Sequence, residues 1–128
     1  MSNPIQVVLE FEKLINARSP EAICALMTAD GEFIDSLGNR IQGREKLRAA
    51  WTGYFKMVPD YSISHSEIFA QGDTVAVFGS AEGTFSKDRQ LRKEDFWKTP
   101  AAWRAVVKDD KIAQHSHFVA PRFSICCS

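Results

Sequence analysis

A chain of 128 residues, 45% hydrophobic and 25% charged, suffices for one domain around one core. Sixteen basic residues balance sixteen acidic ones, so no overall field favours nucleic acid or an anionic membrane surface as partner. No run approaches the roughly 20 apolar residues of a membrane span, and the Met1-Ser2-Asn3-Pro4 start lacks the regions of a secretory signal. Three cysteines form no disulfide framework, which points to the reducing cytoplasm.

Asn3-Pro4 signals a helix start, a capping side chain followed by a proline whose missing N–H costs nothing there. Ile5, Val8, Leu9, Phe11, Leu14 and Ile15 then make an apolar helical face. Ser19-Pro20 repeats the signal for a short second helix. Asp30-Gly31 reads as a turn, and Glu32 to Asp35 alternates as a half-buried strand does. Leu37-Gly38-Asn39 breaks that strand, and Gly43 precedes a third helix. There Leu47, Ala50, Trp51, Tyr54 and Val58 recur at helical spacing until Pro59-Asp60.

From Tyr61 the period becomes two. Gly72-Asp73 is a hairpin turn, and Thr74 to Phe85 is rich enough in Val, Phe and Thr for a long strand. The mixed charges between Lys87 and Asp95 read as a solvated loop. Trp97 to Val107 and Ile112 to Val119 are strands joined by a tight turn at Asp109-Asp110. Cys126-Cys127 falls in a frayed tail. No repeat or linker divides the chain. The order predicts an α+β fold, a single domain over 1–128 with its core at about 4–120 and a tail at 121–128, helices packed on one face of a curved sheet.

A two-residue turn at Asp109-Asp110 pairs Lys108 with Lys111. Counting outward, Arg104 faces His115 and Ala102 faces His117, so those four and Val119 share one face. That face is either exposed or lines a cavity. His-X-His on a strand can place two ligands on zinc, yet no Cys or Glu cluster supplies the remainder, so no metal is expected. Asp35 shares a face with Phe33 before a glycine-containing loop. It reads either as a strand-end turn aspartate or as a pocket-rim carboxylate, its pKa raised by apolar neighbours so that it can act as a base. Trp51, Trp97, Trp103 and Tyr54 are core or pocket-wall residues. With no glycine-rich phosphate loop, no nucleotide or flavin cofactor is expected.

The segment order, the stretch from Met27 to Asp35, the Gly43-Arg44-Glu45-Lys46-Leu47 helix start, and Trp103-Arg104 through Asp109-Asp110-Lys111-Ile112 resemble the nuclear transport factor 2-like superfamily. This group includes ketosteroid isomerases, limonene epoxide hydrolases and SnoaL-like polyketide cyclases, and the resemblance spans roughly residues 4 to 120. It implies a cone-shaped fold, a curved mixed sheet against N-terminal helices that encloses a pocket, and a homodimer built sheet to sheet. It implies that Asp35 occupies the place of the proton-shuttling aspartate of ketosteroid isomerases. Their oxyanion hole, a tyrosine plus a protonated aspartate, has no counterpart: Phe11 stands at the first position and Ala101-Ala102-Trp103 at the second. Trp51 replaces a third-helix pocket tyrosine. His117 falls where the cyclases and epoxide hydrolases keep a final-strand aspartate, and so breaks the carboxylate–arginine–carboxylate relay of the latter. The resemblance thus implies a cofactor-free isomerase, cyclase or hydrolase acting on a small hydrophobic molecule. Asp35 and His117 would be catalytic, and Phe11, Phe33, Trp51, Tyr54, Ala102, Arg104, His115 and Val119 would form the pocket. A non-catalytic binding module and a protein-interaction domain are the alternatives.

Overall fold

Three short helices are fixed by local chemistry at their starts. In the computed structural model, which describes residues 3–88 and 90–119, α1 (Pro4–Asn16) begins where the Asn3 side chain accepts a hydrogen bond from the Ile5 amide at 2.8 Å. Ser19 caps α2 (Pro20–Ala25) in the same way through the Ala22 amide. Gly43 precedes α3 (Arg44–Met57) with φ at 98°, a conformation that glycine adopts without strain. The buried faces of these helices carry Val7, Val8, Phe11 and Ile15, then Ile23 and Cys24, then Leu47 and Trp51. The expectations for Cys126, Cys127 and the tail lie outside the described residues.

The helices cover a six-stranded sheet of order β2-β1-β6-β5-β4-β3. Its strands are β1 (Met27–Ile34), β2 (Arg40–Gln42), β3 (Ser62–Gln71), β4 (Thr74–Thr84), β5 (Phe96–Lys108) and β6 (Lys111–Val119). Neighbours are antiparallel except β1 and β6, which run parallel. The chain is therefore α+β with a mixed sheet against N-terminal helices. Inward residues such as Val75, Val77, Trp103 and Ala105 join the helices in the core. No described helix is long and apolar enough to cross a membrane.

Two expectations need correction. Asp30-Gly31 is not a turn: β1 runs through it, with the register irregular between Met27 and Glu32. Gly31 serves close approach instead, since a Cβ there would lie 3.0 Å from the Thr28 carbonyl oxygen and 3.3 Å from that of Ile112.

The second correction moves two candidate site residues. The Asp109-Asp110 turn forms, with φ at 52° and 60°, and Lys108 pairs with Lys111. Yet the register shifts between Val106 and Val107, where Val107 pairs with Ile112 and Val106 with Gln114. Ala113 is the extra residue of this β-bulge. Beyond it His115 pairs with Ala105 and His117 with Trp103, so Ala102 and Arg104 belong to the opposite face of the sheet.

Candidate functional site

Beyond the bulge, β6 presents His115 and His117 to the helix side. The neighbouring strands place Phe33 beside His115 and Trp103 beside His117. The ring of His117 stacks on Trp103 with centroids 5.3 Å apart and planes at 11°. His115 lies against Phe33 at 5.5 Å and meets the edge of Phe11 at 5.0 Å. Above them, α3 brings in Trp51 and Tyr54, which continue into Tyr61 and Trp97 through ring contacts of 4.9 and 6.1 Å. The space left between these rings is a cavity of about 450 Å³. That volume falls within the usual range for sites that take small molecules.

The polar groups of this cavity are few. His115 Nδ1 and His117 Nε2 are buried and make no hydrogen bond among the described residues. Burial, aided by the neighbouring His117, pushes the His115 imidazole down to about 3, so the ring is neutral at any ordinary pH. Burial also holds His117 below the usual histidine range, against the raising pull of the Asp35 carboxylate. The buried Tyr54 phenol is pushed up to about 12 and that of Tyr61 is raised too, so both remain protonated donors.

Asp35 sits at the mouth, and its ionisation differs from the expectation. Burial does push the carboxyl upward, but hydrogen bonds from Asn39, Leu37 and Gly38 outweigh it and hold the group below its ordinary value. The Leu37 and Asn39 amides each donate to Oδ1 at 2.9 Å, and the Asn39 side chain donates to Oδ2 at 3.1 Å. Asp35 is therefore both a loop-forming aspartate and a lining carboxylate. Among the described lining residues it alone carries a formal charge.

Of the residues singled out in the sequence, Phe33, Asp35, Trp51, Tyr54, His115, His117 and Val119 line the cavity together. Phe11 does not line it; fully buried, it backs the His115 ring. Nor do Ala102 and Arg104. On the other face, Arg104 donates to the Gln114 side chain at 2.6 Å, and Gln114 donates to Glu32 at 2.6 Å. Glu32 in turn pairs with Arg40 at 2.9 Å. The wall also includes Tyr61 and Thr99, which the sequence reading left out of the pocket, and Trp97 and Trp103, which it left open as core or pocket wall. The alternation Trp97, Thr99, Trp103 along β5 is their signal, legible once the register is known. Among the described residues no three His, Cys, Asp or Glu side chains gather as a metal-holding group.

The SnoaL-like domain family matches residues 8–115. Solved structures share the fold at low identity. One is a protein of ketosteroid isomerase-like fold from Catenulispora acidiphila in complex with trimethylamine, 18% identical over 88% of this chain and 83% of its own, with a TM-score of 0.76. TerC, co-crystallised with polyporic acid, is 19% identical over 93% and 92%, with a TM-score of 0.76. The epoxide hydrolase/cyclase-like enzyme SalBIII of pyran ring formation in salinomycin is 20% identical over 91% and 90%, with a TM-score of 0.79. Among curated proteins the sequence has no match.

Proposed function

This chain belongs to the SnoaL-like domain family, and from that premise we propose that it catalyses cofactor-free proton transfer on a small hydrophobic molecule held in the cavity. The observation that carries the reading is His117. Its Nε2 is buried without a partner among the described residues, in an aromatic cavity where Asp35 alone of the described lining residues is charged.

A neutral imidazole can take a proton from a carbon beside a carbonyl, or from a hydroxyl. The negative charge of Asp35 then favours the imidazolium that forms, as its raising pull on His117 indicates. Returning that proton to a different atom of the ligand completes an isomerisation or ring closure. The role of Asp35 in this scheme is electrostatic, because a carboxylate held below its ordinary range is a weak base. The protonated phenols of Tyr54 and Tyr61 are available to donate to an oxygen that gains charge. His115 stays neutral throughout.

The test needs no knowledge of the natural substrate. β-Tetralone in deuterated buffer incorporates deuterium next to its carbonyl, which proton NMR follows. The protein is expected to accelerate incorporation, with a rate that rises as His117 deprotonates and levels off below pH 6.5. His117→Gln is expected to lose the acceleration while still binding the ketone. Equal rates for the two proteins would rule out this role for His117. Binding without acceleration in either would favour the non-catalytic binding module, which the ring-lined wall also supports.

The outer face of the sheet supports a homodimer. Phe69, Phe78 and Phe118 are 56%, 45% and 53% exposed, and the first two rings meet at 6.3 Å. The buried free thiol of Cys24 is compatible with a cytoplasmic setting.

A further inference from the structure

The ligand's charge can be read from the cavity's ends. Leu47 and Ile15 are each 1% exposed and His115 5%, so they mark the closed end. Asp35 is half-buried, Ser36 exposed and Val119 36% exposed, so they mark the mouth. The closed end thus offers the His115 nitrogen without a partner among the described residues and no charge, and the half-buried His117, which feels the Asp35 carboxylate, lies between it and the mouth. The mouth offers a carboxylate, and no lysine or arginine is among the described lining residues.

We propose that the cavity selects hydroxylated aromatic amines, with the ring hydroxyl at the paired histidines and the ammonium at Asp35, and that it rejects the corresponding organic acids. The inference rests on the reading of the cavity as a small-molecule site and adds the chemical class. Three features converge on it. A hydroxyl both donates and accepts, so it can satisfy a neutral histidine nitrogen whichever tautomer is present. The faces of Trp51, Tyr54 and Trp97 are electron-rich and attract a cation passing between them, while they repel an anion. A carboxylate drawn inward would lose its hydration and find no cation among the described lining residues to replace it.

All three tryptophans of the chain line the cavity, so their emission reports occupancy directly. The probes are hydroxyphenylbutylamine, hydroxyphenylbutanol and hydroxyphenylbutyrate, which share a ring and chain and differ only in the charge of the tail. Phenylbutylamine, lacking the hydroxyl, completes the set. The amine is expected to bind about threefold more tightly than the alcohol, a small factor because Asp35 is partly solvated. The acid is expected to bind roughly tenfold more weakly than the alcohol. Removing the ring hydroxyl is expected to weaken the amine by about fivefold. Asp35→Asn keeps an acceptor for the Leu37 and Asn39 amides, and it is expected to bring the amine level with the alcohol. Equal affinity of amine, alcohol and acid would overturn the charge selection yet leave the small-molecule site standing. Tightest binding by the acid would overturn it as well. Failure of every probe to bind would overturn both the selection and the site.

Discussion

The two faces of the sheet treat polar groups in opposite ways, and β6 carries both treatments in successive residues. On the outer face Arg104, Gln114, Glu32 and Arg40 hydrogen-bond to one another in a continuous chain. On the inner face His115 and His117 bury nitrogens that no described residue satisfies. A protein under pressure for stability alone fills or pairs such atoms, because an unmet buried polar group costs about 1–3 kcal/mol. On the proposed reading the inner face gives up stability to keep polar atoms ready for a ligand, and the outer face does not.

The sharpest way to break the comparison uses adjacent residues of β4. Gly79 is on the inward side, and a Cβ there would collide with the Ser64 carbonyl oxygen. Gly79→Ala is expected to cost about 2–3 kcal/mol by urea denaturation, since backbone must move. A loss near zero would mean that β3, whose register against β4 shifts between His65 and Glu67, yields easily there and that the inner face is less rigid than described.

His115 comes next. Its folded-state pKa lies below the unfolded value, so between about pH 6.5 and 3 the unfolded chain binds more protons. Stability is full above pH 6.5 and falls as pH drops through that window, by up to about 1.4 kcal/mol per pH unit. His115→Phe fills the site with an apolar ring and is expected to remove this slope and leave stability at pH 7 equal or higher. An unchanged slope would assign acid lability elsewhere.

Smaller effects belong to the outer face and the mouth. Phe78→Ser is expected to change protomer stability by less than about 1 kcal/mol, but to shift light scattering from dimer to monomer. Asp35→Asn is expected to alter stability at pH 7 by under about 0.5 kcal/mol, because the loop amides keep their acceptor. It nonetheless should slow deuterium incorporation severalfold. Wild-type rates would remove Asp35 from the mechanism.

Much of this was legible from residue order. Asn3-Pro4 and Ser19-Pro20 announce their helices through capping, and Gly72-Asp73 and Asp109-Asp110 announce their hairpins through backbone geometry. The bulge at Ala113 was not legible, because alanine is an ordinary strand residue and no glycine marks the slip. Counting from a correct turn therefore put Arg104 on the wrong face. β2, three residues with little burial, has no hydrophobic alternation to read. The ionisation of Asp35 was hidden for another reason. Apolar neighbours are visible in sequence, but the amides of Leu37 and Asn39 converge on the carboxylate only once the loop has closed. Of the site itself, the histidine pair and the α3 aromatics were recognisable, while Tyr61 and Trp97 needed the sheet's register to reach the wall.

The most direct test of the account is an NMR titration of the histidine ring nitrogens, with and without saturating β-tetralone. The His117 midpoint is expected below 6.5, lowered further by Asp35→Asn, with a shift of its ring nitrogens when the ketone binds. A His117 midpoint at or above 6.5, with ring nitrogens unmoved by bound ketone, would contradict the claim that the inner face of β6 meets the ligand through a neutral imidazole.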